Sequence, residues 1–152
     1  MAVIMVLLSV IRLARASGEV NGSCTETDLN NAITSGGLVT FSCGGPKTIN
    51  FTFNKQINDD TTIAGGGVIT LSGNNSVALF QVSFGKTLTL TNITLANGYA
   101  SPVSGLASGA IENFGTVVII NSRLINNRTW DGGRALRNYG TALASNRVFA
   151  HN

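Results

Sequence analysis

SGAIENFGTVVIINSRLINN, residues 108–127, is followed closely by a second version of itself, GRALRNYGTALASNRVFAHN, residues 133–152. Aligned at Ala110 and Ala135, the copies keep register without a gap: Ile111 meets Leu136, Asn113 meets Asn138, Gly115 meets Gly140, Asn121 meets Asn146 and Leu124 meets Phe149. The period of about 25 residues lies in the range, roughly 20–50, that marks stacked architectures whose units bury their apolar faces against their neighbours. Each unit holds short β-favouring runs broken by Gly and Asn, with no helical apolar stripe. One repeat therefore reads as one turn of a parallel β-helix.

Outward from this stretch, TLTLTNITLANG (87–98) aligns with TVVIINSRLINN (116–127), setting Asn92 on Asn121 and Leu95 on Leu124. The extra residues fall between Asn97 and Ser108, in a corner loop whose counterpart one coil later runs from Arg128 to Gly132. Alternation assigns the faces: Leu88 and Leu90, then Val117 and Ile119, point inward, while Thr87, Thr89 and Thr91 point outward. Asn92, Asn121 and Asn146 recur at one corner and Asn113 and Asn138 at another, positions at which stacked side chains can form hydrogen-bonded ladders. In the last copy Ala142 and Ala144 replace Val117 and Ile119, and Arg134 replaces Gly109. Large-to-small changes of this kind cost about 1–4 kcal/mol each in a packed core, so the last coil is expected to be degenerate.

Toward the N-terminus, Cys24 and Cys43 flank TETDLNNAITSGGLVTF. Thr27 or Asp28 is expected to cap a short helix through Leu29, Ala32 and Ile33, ended by Gly36 and Gly37. Strand-like runs follow at Leu38–Ser42, Thr48–Phe53, Thr61–Ile63, Val68–Ser72, Val77–Phe84 and Thr87–Leu95. A helix ahead of the first strand protects the open end of a solenoid. The apolar run 1–11, followed by Ala14, Arg15 and Ala16, reads as a secretory signal peptide over residues 1–16, too short to span a bilayer; a buried first strand is the alternative. In an exported chain the two cysteines read as a disulfide that pins the cap to the first coil. The expected organisation is a signal peptide at 1–16, a cap at 17–43 and coils at 44–152.

The chain is 43% hydrophobic and only 11% charged, with 18 Gly, which suits coils that turn on Gly and Asn and present Thr and Val on flat faces. Its formal charge is +3, of which Arg12 and Arg15 would leave with the signal. No basic helix or aromatic-interleaved basic module points to nucleic acid, and no transmembrane span is expected in the mature chain.

The runs VTFSCGGPKTINFT, DDTTIAGGGVITLSGNN, TLTLTNITLANG and the two repeats resemble bacterial secreted right-handed parallel β-helix proteins of the pectin-lyase-like superfamily. The resemblance is closest to members whose repeats read GGAIYNxGTLTIxNSTFxxN, of the polymorphic outer membrane protein type. It implies an all-β solenoid, secreted or at the bacterial outer membrane surface. Such relatives carry many more repeats, so a C-terminally truncated solenoid, open to end-to-end self-association, is expected. The superfold hosts lyases, hydrolases and adhesins alike, so the activity has to be read from the site.

Pectate-lyase-type chemistry needs clustered carboxylates holding calcium beside an arginine, and the acids Glu19, Glu26, Asp28, Asp59, Asp60, Glu112 and Asp131 form no stacked set in the sequence. Glycoside hydrolysis needs two carboxylates placed across the scissile bond, and a nucleophilic triad needs a histidine, of which His151 is the single example. No cofactor, metal or catalytic residue is assigned. Tyr99 and Trp130, in successive corner loops, with Arg128 beside them, are the expected carbohydrate contacts. The expectation is a non-catalytic structural or adhesin-like module; the alternative is a polysaccharide-binding or polysaccharide-degrading β-helix whose active coils lie outside this chain.

Overall fold

The computed structural model describes residues 18–132 and 134–152, so the signal-peptide reading of residues 1–16 lies outside the described residues. The regular structure of the described residues is almost all β, all sheets are parallel, and the chain winds as a β-solenoid of about 5 turns. Strand β1 (Gly18–Asn21) and helix α1 (Glu26–Ile33) lead into the first coil, β2 (Gly37–Ser42), β3 (Lys47–Asn50) and β4 (Lys55–Ile57). The second coil is β5 (Thr61–Ala64), β6 (Ile69–Ser72) and β7 (Phe80–Val82). The third is β8 (Thr87–Thr91), β9 (Thr94–Ala96), β10 (Tyr99–Ala100) and β11 (Ile111–Asn113). The fourth is β12 (Thr116–Ile120), β13 (Arg123–Ile125), β14 (Arg128–Thr129) and β15 (Leu136–Asn138), and β16 (Thr141–Ser145) with β17 (Val148–Ala150) begins the fifth.

Three faces result. The first is β1-β2-β5-β8-β12-β16, the second β3-β6-β9-β13-β17 and the third β4-β7-β11-β15. Register follows the repeat: Ile111 pairs with Leu136, Thr116 with Thr141 and Arg123 with Val148, and one coil earlier Thr116 pairs with Thr87 and Arg123 with Thr94. Because side chains alternate along a strand, inward positions stack into apolar columns. Val39, Ile63, Leu90 and Ile119 form one, and Ile49, Leu71, Leu95 and Leu124 another, all buried. Within the last coil every residue of β16 is exposed, Ala142 and Ala144 included.

The helix begins earlier than the sequence suggests. Thr25 is its N-cap: Asp28 N–H donates to Thr25 Oγ1 at 3.3 Å, and Thr25 N–H donates to Asp28 Oδ2 at 2.8 Å. This reciprocal capping box satisfies two otherwise orphaned donors, which is why Thr25 displaces Thr27 and Asp28 as the cap. Leu29 is buried and Ala32 and Ile33 pack against the core, as the spacing predicts. Cys24 and Cys43 lie at disulfide distance, with Cα atoms 5.7 Å apart, tying the start of the helix to the end of the first coil's leading strand. The long run Thr87–Leu95 is two strands, not one, because Asn92 turns the chain between them with φ 50°.

Strand β4 is absent from the sequence reading, and it carries the most unusual core position. Lys55 occupies the inward column that continues through Phe80, Ile111 and Leu136, and it is only 3% exposed. Its ammonium pairs with the Glu26 carboxylate, reaching up from the helix, and lies 4.6 Å from the Phe51 ring centroid and 3.3 Å from that of Phe53. Glu26 also accepts from Thr52 N (2.9 Å) and Thr52 Oγ1 (2.7 Å). The cap is thus seated by a desolvated ion pair as well as by apolar contact.

Candidate functional site

Asparagines organise two corners of the coil in different ways. At the third-to-first-face corner, Asn113 is fully buried; its Oδ1 accepts Gly115 N–H at 3.1 Å, and its Nδ2 donates to Asn138 Oδ1 at 2.6 Å and to Thr141 O at 2.9 Å. Two residues after each of these asparagines only glycine fits, since a Cβ on Gly115 would stand 2.2 Å from Lys86 O and one on Gly140 2.0 Å from Gly115 O. At Asn92, Asn121 and Asn146 the recurring feature is the backbone, with φ of 50°, 49° and 45°, the left-handed region that asparagine tolerates better than most residues.

A further asparagine pair escaped the sequence reading. Asn127 is fully buried where the second face ends; its Oδ1 accepts Gly98 N–H at 2.9 Å and its Nδ2 donates to Leu95 O at 3.1 Å. One coil on, Asn152 repeats the arrangement, accepting from Asn127 N at 2.9 Å and donating to Leu124 O at 2.9 Å. The signal available in the sequence was the in-register placement of Asn127 and Asn152; Gly98 in the preceding coil hid it. Asn127→Ala is expected to lower stability by about 1–3 kcal/mol, the usual cost of leaving buried backbone groups unsatisfied. Urea denaturation, with the slope unchanged, measures it.

Tyr99 and Trp130, the expected carbohydrate contacts, lie in neighbouring coils. Tyr99 pairs with Arg128 and Ala100 with Thr129, so both corner loops contain short strands. Arg128, rather than Trp130, lies over the Tyr99 ring, its Cζ 5.1 Å from the centroid. Trp130 is 61% exposed beyond it, held by its backbone N–H to Ala100 O at 3.1 Å. Asp131 accepts a hydrogen bond from Thr129 Oγ1, which is the main reason its carboxyl is held below the usual aspartate range.

A stacked aromatic pair lies on the third face. Phe114 and Tyr139 project outward from the two Asn-x-Gly corners and stack with centroids 5.0 Å apart and ring planes 3° from parallel. Beside them runs an outward column, Gln56, Gln81, Glu112 and Arg137, one residue per coil. Gln81 Nε2 donates to Glu112 at 3.3 Å, and the Arg137 guanidinium lies 5.0 Å from the Tyr139 centroid. Gln56, Gln81, Ser83, Phe84, Phe114 and Tyr139 line an open cavity of about 450 Å³ here. A second concavity, about 310 Å³, lies under the helix between Asn30, Phe53, Lys55 and Asp59, and its cation is already engaged by Glu26.

No group of three or more His, Cys, Asp or Glu able to hold a metal ion occurs among the described residues, and no described helix is long and apolar enough to cross a membrane. Comparison with known proteins finds no matching family model, no match among curated proteins and no match among solved structures.

Proposed function

We propose that the chain is a non-catalytic, structural or adhesin-like β-solenoid module of a secreted or cell-surface protein. The proposal places it with right-handed parallel β-helix proteins of the pectin-lyase-like superfamily that carry polymorphic outer membrane protein type repeats. The observation that carries it is the outer surface of the first face. Leu38, Thr62, Thr89, Val118 and Leu143 stack in one outward column, and Thr87, Thr116 and Thr141 in a second. A lyase of this architecture would concentrate carboxylates and arginines in such columns, since calcium takes six or more oxygen ligands and the departing proton needs a base. Neutral columns, mostly of β-branched residues, instead build a rigid, weakly charged spacer suited to display.

The test is turnover. The purified chain, with and without calcium, is incubated with polygalacturonate and with alginate, and unsaturated products and new reducing ends are measured. Neither product is expected to rise above the buffer control, and sustained turnover of either polymer overturns the reading. Polysaccharide binding without turnover is the second reading, favoured by the stacked rings on the third face.

A further inference from the structure

The aromatic ladder on the third face stops abruptly, and the way it stops makes a site. Asn113 pairs with Val82 and Thr116 with Thr87. The turn between these paired positions contains Phe114 and Gly115 in one coil, but Ser83, Phe84, Gly85 and Lys86 in the coil before. Ser83 thus takes the ladder position that follows Tyr139 and Phe114. Below it comes Asn58, since Ile57 pairs with Val82, and Ser83 Oγ donates to Asn58 Oδ1 at 2.7 Å.

Exchanging a ring for a hydroxymethyl group leaves a step about one ring deep, because successive strands lie roughly 4.8 Å apart. Phe114 walls the step on one side and remains 38% exposed although Tyr139 covers its other face. Gln56 and Gln81 floor it, and Phe84, 90% exposed, stands at its outer flank. The longer turn projects Phe84 into solvent, and a cluster of exposed rings rimmed by polar side chains marks an interaction surface.

We propose that this notch binds one uncharged pyranose ring of an extended glycan, the sugar stacking on Phe114 as the next member of the ladder. Three features select that chemistry. A pyranose presents an apolar C–H face of the right breadth to an aromatic ring, and aromatic residues with a polar surround suit ligands that are apolar on one face and wet on the edge. The polar side chains lining the notch are amides and a hydroxyl, with the Glu112 carboxylate buried behind them: Gln56 Nε2 approaches Ser83 Oγ at 3.5 Å and Gln81 Nε2 donates to Glu112, so sugar hydroxyls would donate to the glutamine amide oxygens. A flat hydrocarbon ring would leave these groups desolvated and unpaired, at a cost. Finally, none of the six lining side chains is charged, which favours neutral sugars over uronic acids. The volume of about 450 Å³ falls within the range of roughly 300–1,000 Å³ common for small-ligand sites.

The notch supplies a ligand for the display module proposed above, but the two readings fail separately: turnover of polygalacturonate removes the scaffold reading alone, and loss of glycan binding removes the notch alone. Gluco-, manno-, xylo- and chito-hexaose, with oligogalacturonate and indole as comparison probes, are titrated into the full chain at millimolar concentration by calorimetry. At least one uncharged hexaose is expected to bind, Phe114→Ala to weaken it about tenfold, which corresponds to roughly 1.4 kcal/mol, and Trp130→Ala to leave it unchanged. Ser83→Phe continues the ladder and fills the step, so it is expected to abolish binding while keeping the far-ultraviolet spectrum of the parent. Phe84→Ala, which removes a side chain with almost no packing, is expected to weaken binding severalfold and serves if the ladder variants misfold. Binding of none of the uncharged hexaoses, binding of only oligogalacturonate or only indole, or an affinity unmoved by both Ser83→Phe and Phe84→Ala would overturn the proposal.

Discussion

Glu26→Ala is expected to lower the unfolding free energy by about 3–5 kcal/mol, the usual cost of removing one partner from a buried ion pair. The loss comes from what remains. Lys55 sits in an inward column whose other members are Phe80, Ile111 and Leu136, and with Glu26 gone its ammonium keeps only the faces of Phe51 and Phe53. Replacing both members by apolar residues, Glu26→Leu with Lys55→Met, is expected to recover most of the loss, because no buried charge is then left uncompensated. Chemical denaturation of the two single variants and the double variant measures the coupling.

The same pair makes the cap acid-sensitive. Burial pushes the Glu26 carboxyl up, but hydrogen bonds from Lys55 and from the Thr52 N–H and hydroxyl outweigh it, and the folded-state value is lowered. A lowered folded value means that the unfolded chain takes up the proton first as pH falls. The stabilisation is therefore complete above the ordinary glutamate range and is lost as pH drops through the lowered folded value. Denaturation midpoints measured down through that range are expected to fall more steeply for the parent than for the double variant.

Removing the Cys24–Cys43 link, by Cys24→Ser with Cys43→Ser, is expected to cost about 3 kcal/mol. The separation of 19 residues closes a loop that encloses the whole helix and the whole of β2, and an unlinked unfolded chain regains that loop's entropy. The effect should be local. Hydrogen exchange is expected to quicken first in α1 and β1, where Val20 and Leu29 enter the core, while amides of β8 and β12, in the middle of the stack, keep their protection. Uniform loss of protection along the solenoid would show instead that the coils unfold as one unit.

Some of this architecture is legible in the residues because of how a solenoid repeats. Side chains alternate with period two, and coils of equal length bring the same residue back to the same place. Ala110 against Ala135 therefore predicts the observed pairing of Ile111 with Leu136 and Leu124 with Phe149, and Leu88, Leu90, Val117 and Ile119 are buried where alternation puts them. The helix and the proximity of the two cysteines follow from equally local cues, apolar spacing and an isolated cysteine pair.

Where coil length changes, the repeat carries no such information. Lys47 pairs with Ile69 but Thr61 with Leu88, so no single period aligns the first three coils, and the inward place of Lys55 stays hidden among polar neighbours. The same irregularity conceals the notch: the longer turn at Ser83–Lys86 sets a serine where two other coils set an aromatic ring, and that mismatch has meaning only once the strands on either side are paired. By itself, then, the sequence determined that the chain stacks as parallel coils and which residues of the regular coils face inward, because both depend on short-range periodicity. The tertiary structure alone decided how the cap is seated by Glu26 and Lys55, how Asn127 is bonded and where the aromatic ladder breaks off, because each depends on register between coils of unequal length.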